Sequence, residues 1–588
     1  MYACQEIGTG DFGQGGPLAW SHSHTLARTA TNTTTSAAPV LLTGVTMALK
    51  IMKHAIRITA WSWLAALASV SAAAAADDSV PHLRKQGAAA QLVVDGRPFL
   101  IIGGELHNSS SSNLEYMKPI WQKMLDLNLN TVLAGVSWEL VEPQEGRFDF
   151  SLTDGLIQDA RRNELRLVLL WFGSWKNGMS SYVPVWVKKN YQRFPRAKLR
   201  DRGDVEVLST LAQANWQADA AAFAALMRHI REVDGADHTV IMMQVENEVG
   251  VLRDSRDRSA AAEAAFAGPV PRTLMDYLQK NRGALVPEIR NRWEAAGAKA
   301  SGTWPEVFGE SPQTDELFMA WNYARYADHV AEAGKAQYGI PMYVNTWLGG
   351  QGTPGQWPSG GPLPHVMDIW LAGAPHLDFL SPDIYAADFS NWCQRYTQRG
   401  NPLFIPEMNR QGDGPRNVFY ALGQHSAMGT SPFAIDSLDN PKDSALSKSY
   451  AVVRQIAPLV LAAQGTGNMT GFWVNKEHRT VTRELGGYEL EISLDEIFGS
   501  EAQLGYGLII AVGPDEFMGA GSGFRVAFRP RTPGPPLVGI GSVDEGVYRD
   551  GKWIAGRRLN GDENDQGGKW RFSPQGLSIE RCGIDRYE

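Results

Sequence analysis

The sequence predicts an α/β protein, a (β/α)8 TIM barrel followed by a smaller all-β, sandwich-like domain. Between residues 91 and 440, eight short apolar segments alternate with helical patterns. The fourth and the seventh of these segments each run straight into a glutamate. From residue 480 onwards, short runs of alternating apolar and polar residues are separated by turn residues, which is typical of antiparallel strands.

Length and composition limit the possible classes of protein. The chain has 588 residues, more than one hydrophobic core usually holds, so two or more domains are expected. A net charge of -8 argues against a general nucleic-acid binder. The three cysteines, Cys4, Cys393 and Cys582, make neither a disulfide framework nor a metal-ligand cluster. We therefore expect no cofactor and no metal.

The N-terminal region has the features of a secretory signal. Residues 47–76 combine a basic start, an apolar segment from Ile58 to Val70 and a run of alanines before Asp77. The apolar segment is short for a membrane anchor. We expect a periplasmic or secreted protein with no stable membrane anchor after signal removal. Residues 1–46 precede a segment that should itself be N-terminal, so we expect them to be unstructured and absent from the natural product.

The catalytic barrel is predicted over residues 77–445. Its first strand is the second arm of a hairpin that turns at Asp95-Gly96, and this strand ends at Glu105. The fourth strand begins at Val240 and ends in Glu246-Asn247-Glu248. The other predicted strands are 130–138, 166–172, 341–347, 377–385, 403–409 and 431–436, and the main helices are 115–127, 152–163, 216–233 and 317–338.

Three further segments complete the predicted organisation. Residues 251–320 are too long for a simple connection and carry helical patterns, so we expect an insertion on the rim that helps to wall the pocket. Residues 446–479 are predicted to be a connecting helical segment, and residues 480–588 the β domain. An open doubly wound sheet is the alternative to the barrel. It would carry a glycine-rich phosphate turn after the first strand, and Gly104-Glu105-Leu106-His107 is not one.

Glu248 and Glu407 are the candidate catalytic residues. In a barrel of parallel strands the carboxyl ends of the strands form the floor of the active site. Two strands that each deliver a glutamate to this rim make the paired carboxylates that glycosidic bond hydrolysis requires. Either glutamate alone is better explained as an ordinary strand-end residue in solvent. Their positions after the fourth and seventh strands favour the catalytic interpretation.

Several motifs resemble glycoside hydrolase family 35, the β-galactosidases. Gln244–Glu248 resembles that family's Q-[IV]-E-N-E segment, and Trp138–Phe150 resembles its W-x-x-x-E-P-x-x-G-x-x-D-F. Gly96–His107 is similar to its first-strand segment. Gly551–Glu563 resembles a β domain of unknown function that is attached to a bacterial branch of these enzymes.

The resemblance implies a function and residue roles. It implies a retaining exo-glycosidase that removes terminal β-D-galactosyl residues by double displacement, with plant cell-wall oligosaccharides among the expected substrates. Glu248 would be the general acid/base, Glu407 the nucleophile, and Asn247 would hold the sugar 2-hydroxyl. Additional expected sugar contacts are Glu105, Trp138, Glu142, Trp175, Trp347 and Tyr385, and for each of these a structural role at the rim is the alternative.

The sequence departs from the family pattern at three places. The usual C-A-E-W reads Phe172-Gly-Ser-Trp175, so a sugar-binding acid is missing there. A tyrosine of the second strand is replaced by Gly135, and the nucleophile segment reads Pro406-Glu-Met-Asn409. These departures bear on galactose specificity, so another β-glycosidase of the same clan, such as a β-glucosidase or β-mannanase, is the alternative. A non-catalytic carbohydrate-binding barrel is disfavoured because both glutamates are present.

Overall fold

The computed structural model describes residues 80–349, 352–497, 500–565 and 568–588. The predicted signal and the segment before it lie outside these residues. The first element is a three-stranded antiparallel sheet of β1 (His82–Gln86), β2 (Ala89–Val94) and β3 (Arg97–Phe99). The predicted strand after the Asp95-Gly96 turn is interrupted at Leu100. Its first part, β3, pairs with β2, so the prediction that the whole segment is the first barrel strand is wrong. Leu92 and Val94 of β2 pack into the interior of the barrel and close one end of it.

Eight parallel strands form the barrel. Their order is β12-β11-β10-β9-β6-β5-β4-β13, and a parallel bridge between Ile405 and Thr430 joins the two ends. The last two strands are much shorter than predicted. Pro406 has no N–H to donate to a ladder, so the seventh strand begins only at Glu407. The eighth strand ends at Thr430, so residues 431–436 are not that strand. The strands are β4 (Ile101–Glu105), β5 (Thr131–Ser137), β6 (Arg166–Lys176), β9 (Val240–Asn247), β10 (Met342–Trp347), β11 (Phe379–Ile384), β12 (Glu407–Met408) and β13 (Gly429–Thr430).

Helices surround this sheet. The first shows why they form: Asn113 accepts the N–H of Tyr116 as an N-cap, and Met117, Ile120, Trp121 and Met124 recur at helical spacing and are buried. The predicted insertion at 251–320 is four short helices, α6 to α9. A small hairpin of β7 (Arg196–Leu199) and β8 (Gly203–Leu208) lies outside the barrel sheet. The helices are α1 (Leu114–Asp126), α2 (Trp138–Val141), α3 (Ser151–Arg162), α4 (Val185–Lys188), α5 (Gln213–Asp234), α6 (Ala260–Ala267), α7 (Arg272–Lys280), α8 (Pro287–Ala295), α9 (Trp304–Phe308), α10 (Pro312–Lys335), α11 (Met367–Gly373), α12 (Phe389–Tyr396), α13 (Gly414–His425) and α14 (Ala445–Ala463).

The C-terminal region is a two-sheet β domain. A six-stranded sheet, β14-β19-β20-β25-β22-β23, and a four-stranded sheet, β15-β16-β21-β24, share a buried core in which Phe472 meets Phe524 at 4.7 Å between ring centroids. The domain begins at Met469, earlier than the predicted boundary at residue 480. The strands are β14 (Met469–Asn475), β15 (Thr480–Leu485), β16 (Tyr488–Leu494), β17 (Glu496–Ile497), β18 (Ser500–Glu501), β19 (Leu504–Gly513), β20 (Glu516–Ser522), β21 (Phe524–Pro530), β22 (Leu537–Arg549), β23 (Lys552–Arg558), β24 (Trp570–Phe572) and β25 (Ser578–Tyr587).

The six-stranded sheet also packs against the barrel. Successive side chains of a strand point to opposite faces, so Ile509 faces the core of the β domain while Leu508 and Ile510 join the core of the barrel. The backbones of α13 and β14 approach closely at two glycines: a Cβ on Gly423 would lie 2.6 Å from the Cα of Gly471. One face of the six-stranded sheet thus extends the hydrophobic core of the barrel, while its other face belongs to the separate core of the β domain. No helix among the described residues is both long and apolar enough to cross a membrane.

Candidate active site

Glu248 and Glu407 lie together at the carboxyl end of the barrel. Glu248 directly follows β9, and Glu407 begins β12. Both side chains are buried, at 6% and 5% exposure. Carboxylate oxygens of Glu248, Glu407 and Asp383 lie within 4.8 Å of one another. The two strands therefore bring the two predicted catalytic carboxyl groups into one site.

The backbone that presents Glu248 is locally strained. Glu246 and Glu248 have φ values of 62° and 44°, in a region that non-glycine residues rarely adopt. Such conformations persist where surrounding contacts hold them, often at functional sites. Here the Glu248 N–H donates to Asn345 Oδ1 at 3.0 Å, and the Asn345 amide donates to Asp383 at 2.9 Å. Asn345 thereby ties the end of β9 to β11.

Burial and neighbouring charge make Glu248 a weak acid. Desolvation, and then the charge of Glu407, raise the pKa of Glu248 to about 8, while the Lys176 ammonium acts in the opposite direction. Burial also raises the pKa of Glu105 and of Asp383 well above the ordinary range, and Glu407 adds to both shifts. Glu248 is thus suited to hold a proton at neutral pH and to give it up during a reaction.

Glu407 has a different environment. The hydroxyl group of Tyr385 donates to its Oε2 at 2.8 Å. Its other oxygen, Oε1, is buried and has no hydrogen-bond partner in the described part of the chain. Burial of the Tyr385 hydroxyl, and then the charge of Glu407, raise the tyrosine pKa, so this hydroxyl stays a donor. One carboxylate oxygen is fixed and the other is available to a ligand.

Asn247 and Lys176 lie beside the two glutamates. The Lys176 ammonium donates to Asn247 Oδ1 at 2.6 Å, which leaves the buried Nδ2 of Asn247 without a partner among the described residues. Burial disfavours the charge of Lys176, but the carboxyl groups of Glu407, Glu248 and Glu105 outweigh it and raise the lysine pKa. The lysine therefore stays charged inside the site.

Glu105 closes the site from the end of β4. It is 1% exposed, and neither of its carboxyl oxygens has a hydrogen-bond partner in the described structure. A buried carboxyl group without partners is costly unless something else satisfies it. Glu105 stays a predicted sugar contact, and its two unpartnered oxygens are compatible with that role.

Trp347 and Tyr385 line an open cavity next to the catalytic pair. Trp347 ends β10 and is 38% exposed, and Tyr385 follows β11 and is 45% exposed. The cavity has a volume of about 450 Å³ and also includes Asp383, Trp392 and Arg395. Flat exposed aromatic rings are suited to stacking against sugar rings. The geometry thus places both predicted contacts where a bound sugar chain can reach them.

Three other predicted sugar contacts have structural roles instead. The Trp138 indole donates to Glu142 at 2.8 Å, and Glu142 also accepts the N–H of Gly146 at 2.7 Å, which holds the loop after β5. The Trp175 ring packs against Tyr323 and Tyr326. Both tryptophans are fully buried in the hydrophobic core, so neither offers a free face to a sugar. The sequence motif located these residues but not their orientation.

A buried carboxyl pair supports the site from below. Glu246 accepts the N–H of Trp175 at 2.9 Å, and Asp219 accepts the indole N–H of Trp171 at 2.8 Å. Ser174, which stands where the resemblance expects an acid, donates to Asp219 at 2.5 Å. A Cβ at Gly173 would lie 2.6 Å from both Glu246 Oε1 and Trp171 Nε1. Glycine at 173 is therefore what allows the two carboxyl groups to anchor the end of β6.

Sequence reasoning missed Lys176, Asp383 and Asn345. A signal was present for Asp383, because it lies near the end of a fully buried apolar strand, as Glu248 does. Lys176 is the last residue of the long strand β6, whose eleven residues continue past the predicted end at Phe172. Among the described residues, the carboxyl cluster of Glu248, Asp383 and Glu407 has the geometry to hold a cation, but Lys176 already supplies the positive charge beside it.

Comparison with known proteins agrees with this architecture. Residues 91–280 match the family model "Glycosyl hydrolases family 35", and residues 446–571 match a domain of unknown function, DUF5597. A β-galactosidase of Xanthomonas manihotis is 31% identical over 210 residues, which cover 34% of this chain and 32% of that protein. The chain thus matches about a third of the length of this curated relative.

Solved structures give weaker similarities. The β-galactosidase of Rahnella sp. R3 has a TM-score of 0.41 at 15% identity, covering 62% of this chain and 57% of that one. The β-galactosidase of the psychrophilic Marinomonas ef1 has a TM-score of 0.41 at 13% identity, covering 61% and 60%. By sequence, residues 91–280 of this chain are similar to glycosyl hydrolase family 35, and residues 446–571 are similar to the DUF5597 domain.

Proposed function

We propose that the protein is a retaining exo-glycosidase that releases terminal β-D-galactosyl residues from oligo- or polysaccharides. The observation that carries this proposal is the approach of the Glu248 and Glu407 carboxylate oxygens to within 4.8 Å. Retaining enzymes hold their two carboxyl groups roughly 5 Å apart, whereas inverting enzymes need roughly 6.5 to 9.5 Å to admit a water molecule. The short separation favours double displacement.

The environments of the two glutamates support the proposed role of each. Glu407 has one oxygen fixed by Tyr385 and the other free, so it attacks the anomeric carbon and forms the glycosyl-enzyme. Glu248, with its raised pKa, protonates the departing glycosidic oxygen. In the second step the Glu248 carboxylate takes a proton from the attacking water. Asn247 Nδ2 donates to the 2-hydroxyl, a bond that strengthens in the transition state.

Galactose as the cleaved sugar is supported by the family match and by the relative that is named a β-galactosidase. The missing acid at Ser174 and the glycine at 135 alter places where the family usually has a sugar contact. A β-glucoside or β-mannoside is therefore the competing substrate. Hydrolysis rates on 4-nitrophenyl β-galactoside, β-glucoside and β-mannoside decide between them, and a galactoside rate that is not the highest contradicts this part of the proposal.

Two further observations support the proposed natural substrate and location. The open cavity beside Trp347 offers room for sugars beyond the cleaved residue, as in branched plant cell-wall oligosaccharides. The sequence at 47–76 supports export to the periplasm or the medium. Fractionation of cells that express the natural gene tests the location, and an active enzyme that stays in the cytoplasm contradicts it.

The roles of the two glutamates are tested with Glu248→Gln and Glu407→Gln. A 2,4-dinitrophenyl glycoside hardly needs a proton to leave, so the Glu248 variant should still form the glycosyl-enzyme and accumulate it. Added azide should rescue this variant and give a β-glycosyl azide. The Glu407 variant should be inactive on every substrate, and any azide product should have inverted configuration.

Two results would contradict the assignment. A β-glycosyl azide from the Glu407 variant would mean that the two roles are exchanged. Full activity in both variants would mean that the carboxyl pair is not the catalytic machinery. As a matched control, Glu484→Gln removes an exposed glutamate of β15 in the β domain, where its partner is Arg531, and should not respond to azide.

A further inference from the structure

We infer that Lys176 and Glu105 together bind hydroxyl groups of the sugar that is cleaved off, with Lys176 donating to its 3-hydroxyl. This inference rests on the proposed function and adds the residues that select the sugar. Neither residue is a catalytic acid or base in it. Both act by direct contact with the substrate.

The first argument is that the Lys176 ammonium has unused hydrogen-bond capacity. An ammonium group has three N–H donors, and Lys176 uses one of them, to Asn247 Oδ1 at 2.6 Å. Lys176 makes no ion pair with any described carboxylate, although Glu105, Glu248, Glu407 and Asp383 all lie close enough to perturb its charge. Two N–H donors of this buried cation therefore have no hydrogen-bond partner among the described residues.

The second argument is that Glu105 has unused capacity on the same site. Its side chain is buried, and both of its oxygens lack partners among the described residues. The carboxyl group interacts electrostatically with Glu407, Lys176 and Glu248, so it belongs to the same cluster of buried charged groups. A sugar hydroxyl both accepts and donates a hydrogen bond. A sugar hydroxyl group placed between the two side chains would accept a hydrogen bond from Lys176 and donate one to Glu105. Both buried groups would then have a hydrogen-bond partner.

The position of Asn247 indicates which hydroxyl Lys176 binds. Asn247 Nδ2 is the donor for the 2-hydroxyl in the proposed mechanism, and Lys176 is bonded to the oxygen of the same amide. On one side of C2 the sugar has the anomeric carbon, which must face Glu407. The hydroxyl on the other side is the 3-hydroxyl. Because Lys176 is bonded to the amide that binds the 2-hydroxyl, the neighbouring 3-hydroxyl is the next sugar hydroxyl within its reach.

A purely structural lysine is the competing explanation. In that case Lys176 only orients Asn247 and balances the carboxyl charges. Loss of Lys176 would then weaken the hydrolysis of every substrate by the same factor. Direct contact predicts instead that the loss depends on whether the substrate carries the hydroxyl.

The test is a double-mutant cycle between side chain and substrate. Wild-type and Lys176→Met enzymes are measured on the best 4-nitrophenyl β-glycoside and on its 2-, 3-, 4- and 6-deoxy analogues. Hydrogen bonds to charged groups are strong, so removal of the 3-hydroxyl should cost the wild type about 10- to 100-fold in kcat/KM. The variant should lose a similar factor on the parent glycoside and less than about 3-fold more on the 3-deoxy analogue.

The control and the second variant keep the outcome decisive. Lys335→Met removes a lysine paired with Asp378, near the opposite end of the strands, and should leave all five rates unchanged. Glu105→Leu gives an independent double-mutant cycle. Its loss of kcat/KM relative to the wild type should be absent for one of the deoxy analogues. Equal losses on all analogues in both variants would overturn the inference. A wild-type enzyme that cleaves no glycoside would instead refute the proposed function itself.

Discussion

Raising the pH should switch off proton donation by Glu248. Burial and the charge of Glu407 raise its pKa to about 8 from an ordinary 4.5. At pH 7 such a group is about 90% protonated, and at pH 9 about 10%, whereas an ordinary glutamate is under about 1% protonated at pH 7. The value of kcat/KM for lactose, whose leaving group is a basic alkoxide, should therefore fall about tenfold from pH 7 to pH 9.

The assay compares two leaving groups over the same pH range. The pH dependence of kcat/KM reports groups of the free enzyme. With a 2,4-dinitrophenyl glycoside, which needs little proton donation, the decrease near pH 8 should be absent or much smaller. A decrease for lactose that is complete below pH 6 would refute the argument from burial. The same decrease with both substrates would show that another group titrates.

Three further predictions concern groups around the pair. Because the pKa of Glu248 is higher in the folded than in the unfolded state, its contribution to folding stability should be fully present below pH 4.5 and be lost as the pH rises through about 8. In urea unfolding at pH 6 and pH 9, the free energy of unfolding should therefore change less with pH in Glu248→Gln than in the wild type. Tyr385→Phe removes the hydrogen bond to Glu407, so kcat should fall about 10- to 100-fold in steady-state assays, and an unchanged kcat would contradict its role. Gly173→Ala should destabilise the fold by about 1 to 3 kcal/mol in urea unfolding, because the new methyl group meets Glu246 and Trp171. Gly283→Ala, which has open space around it, is the matched control and should be near neutral.

The meeting of Glu248 and Glu407 in one site could be predicted from sequence because the signal is local. An apolar strand that ends in a charged residue places that residue at the rim, and this located both Glu248 and Glu407. The sequence does not predict Lys176 as a site residue, because its position depends on how far β6 continues. The length of β6 is determined by Gly173 and Glu246 through contacts that are distant in sequence. Trp138 and Trp175 show the opposite case. A motif identifies a conserved type of residue, but the burial of its ring is decided by tertiary packing.

The element boundaries differ for related reasons. Strand β13 is short because the barrel closes through a single bridge, which depends on the pairing of Ile405 with Thr430 rather than on local propensity. The strand β14 was assigned to a connecting segment because its alternation is weak: Gly471 occupies a position where packing against α13 admits no side chain. The sequence predicts one strand where the structure has β3 and β4, because the residues on both sides of Leu100 are apolar.

The packing of the six-stranded sheet against the barrel has a consequence for synthesis on the ribosome. The apolar sides of α13 and α14 are covered by β19, β20 and Ile579 of β25, near the end of the chain. Until β19, β20 and β25 have all been synthesised, the apolar side of these helices is covered only in part. The nascent barrel therefore exposes apolar surface, where chaperones bind, during the translation of more than a hundred further residues. A ribosome that stalls in the β domain leaves an aggregation-prone product instead of a working barrel.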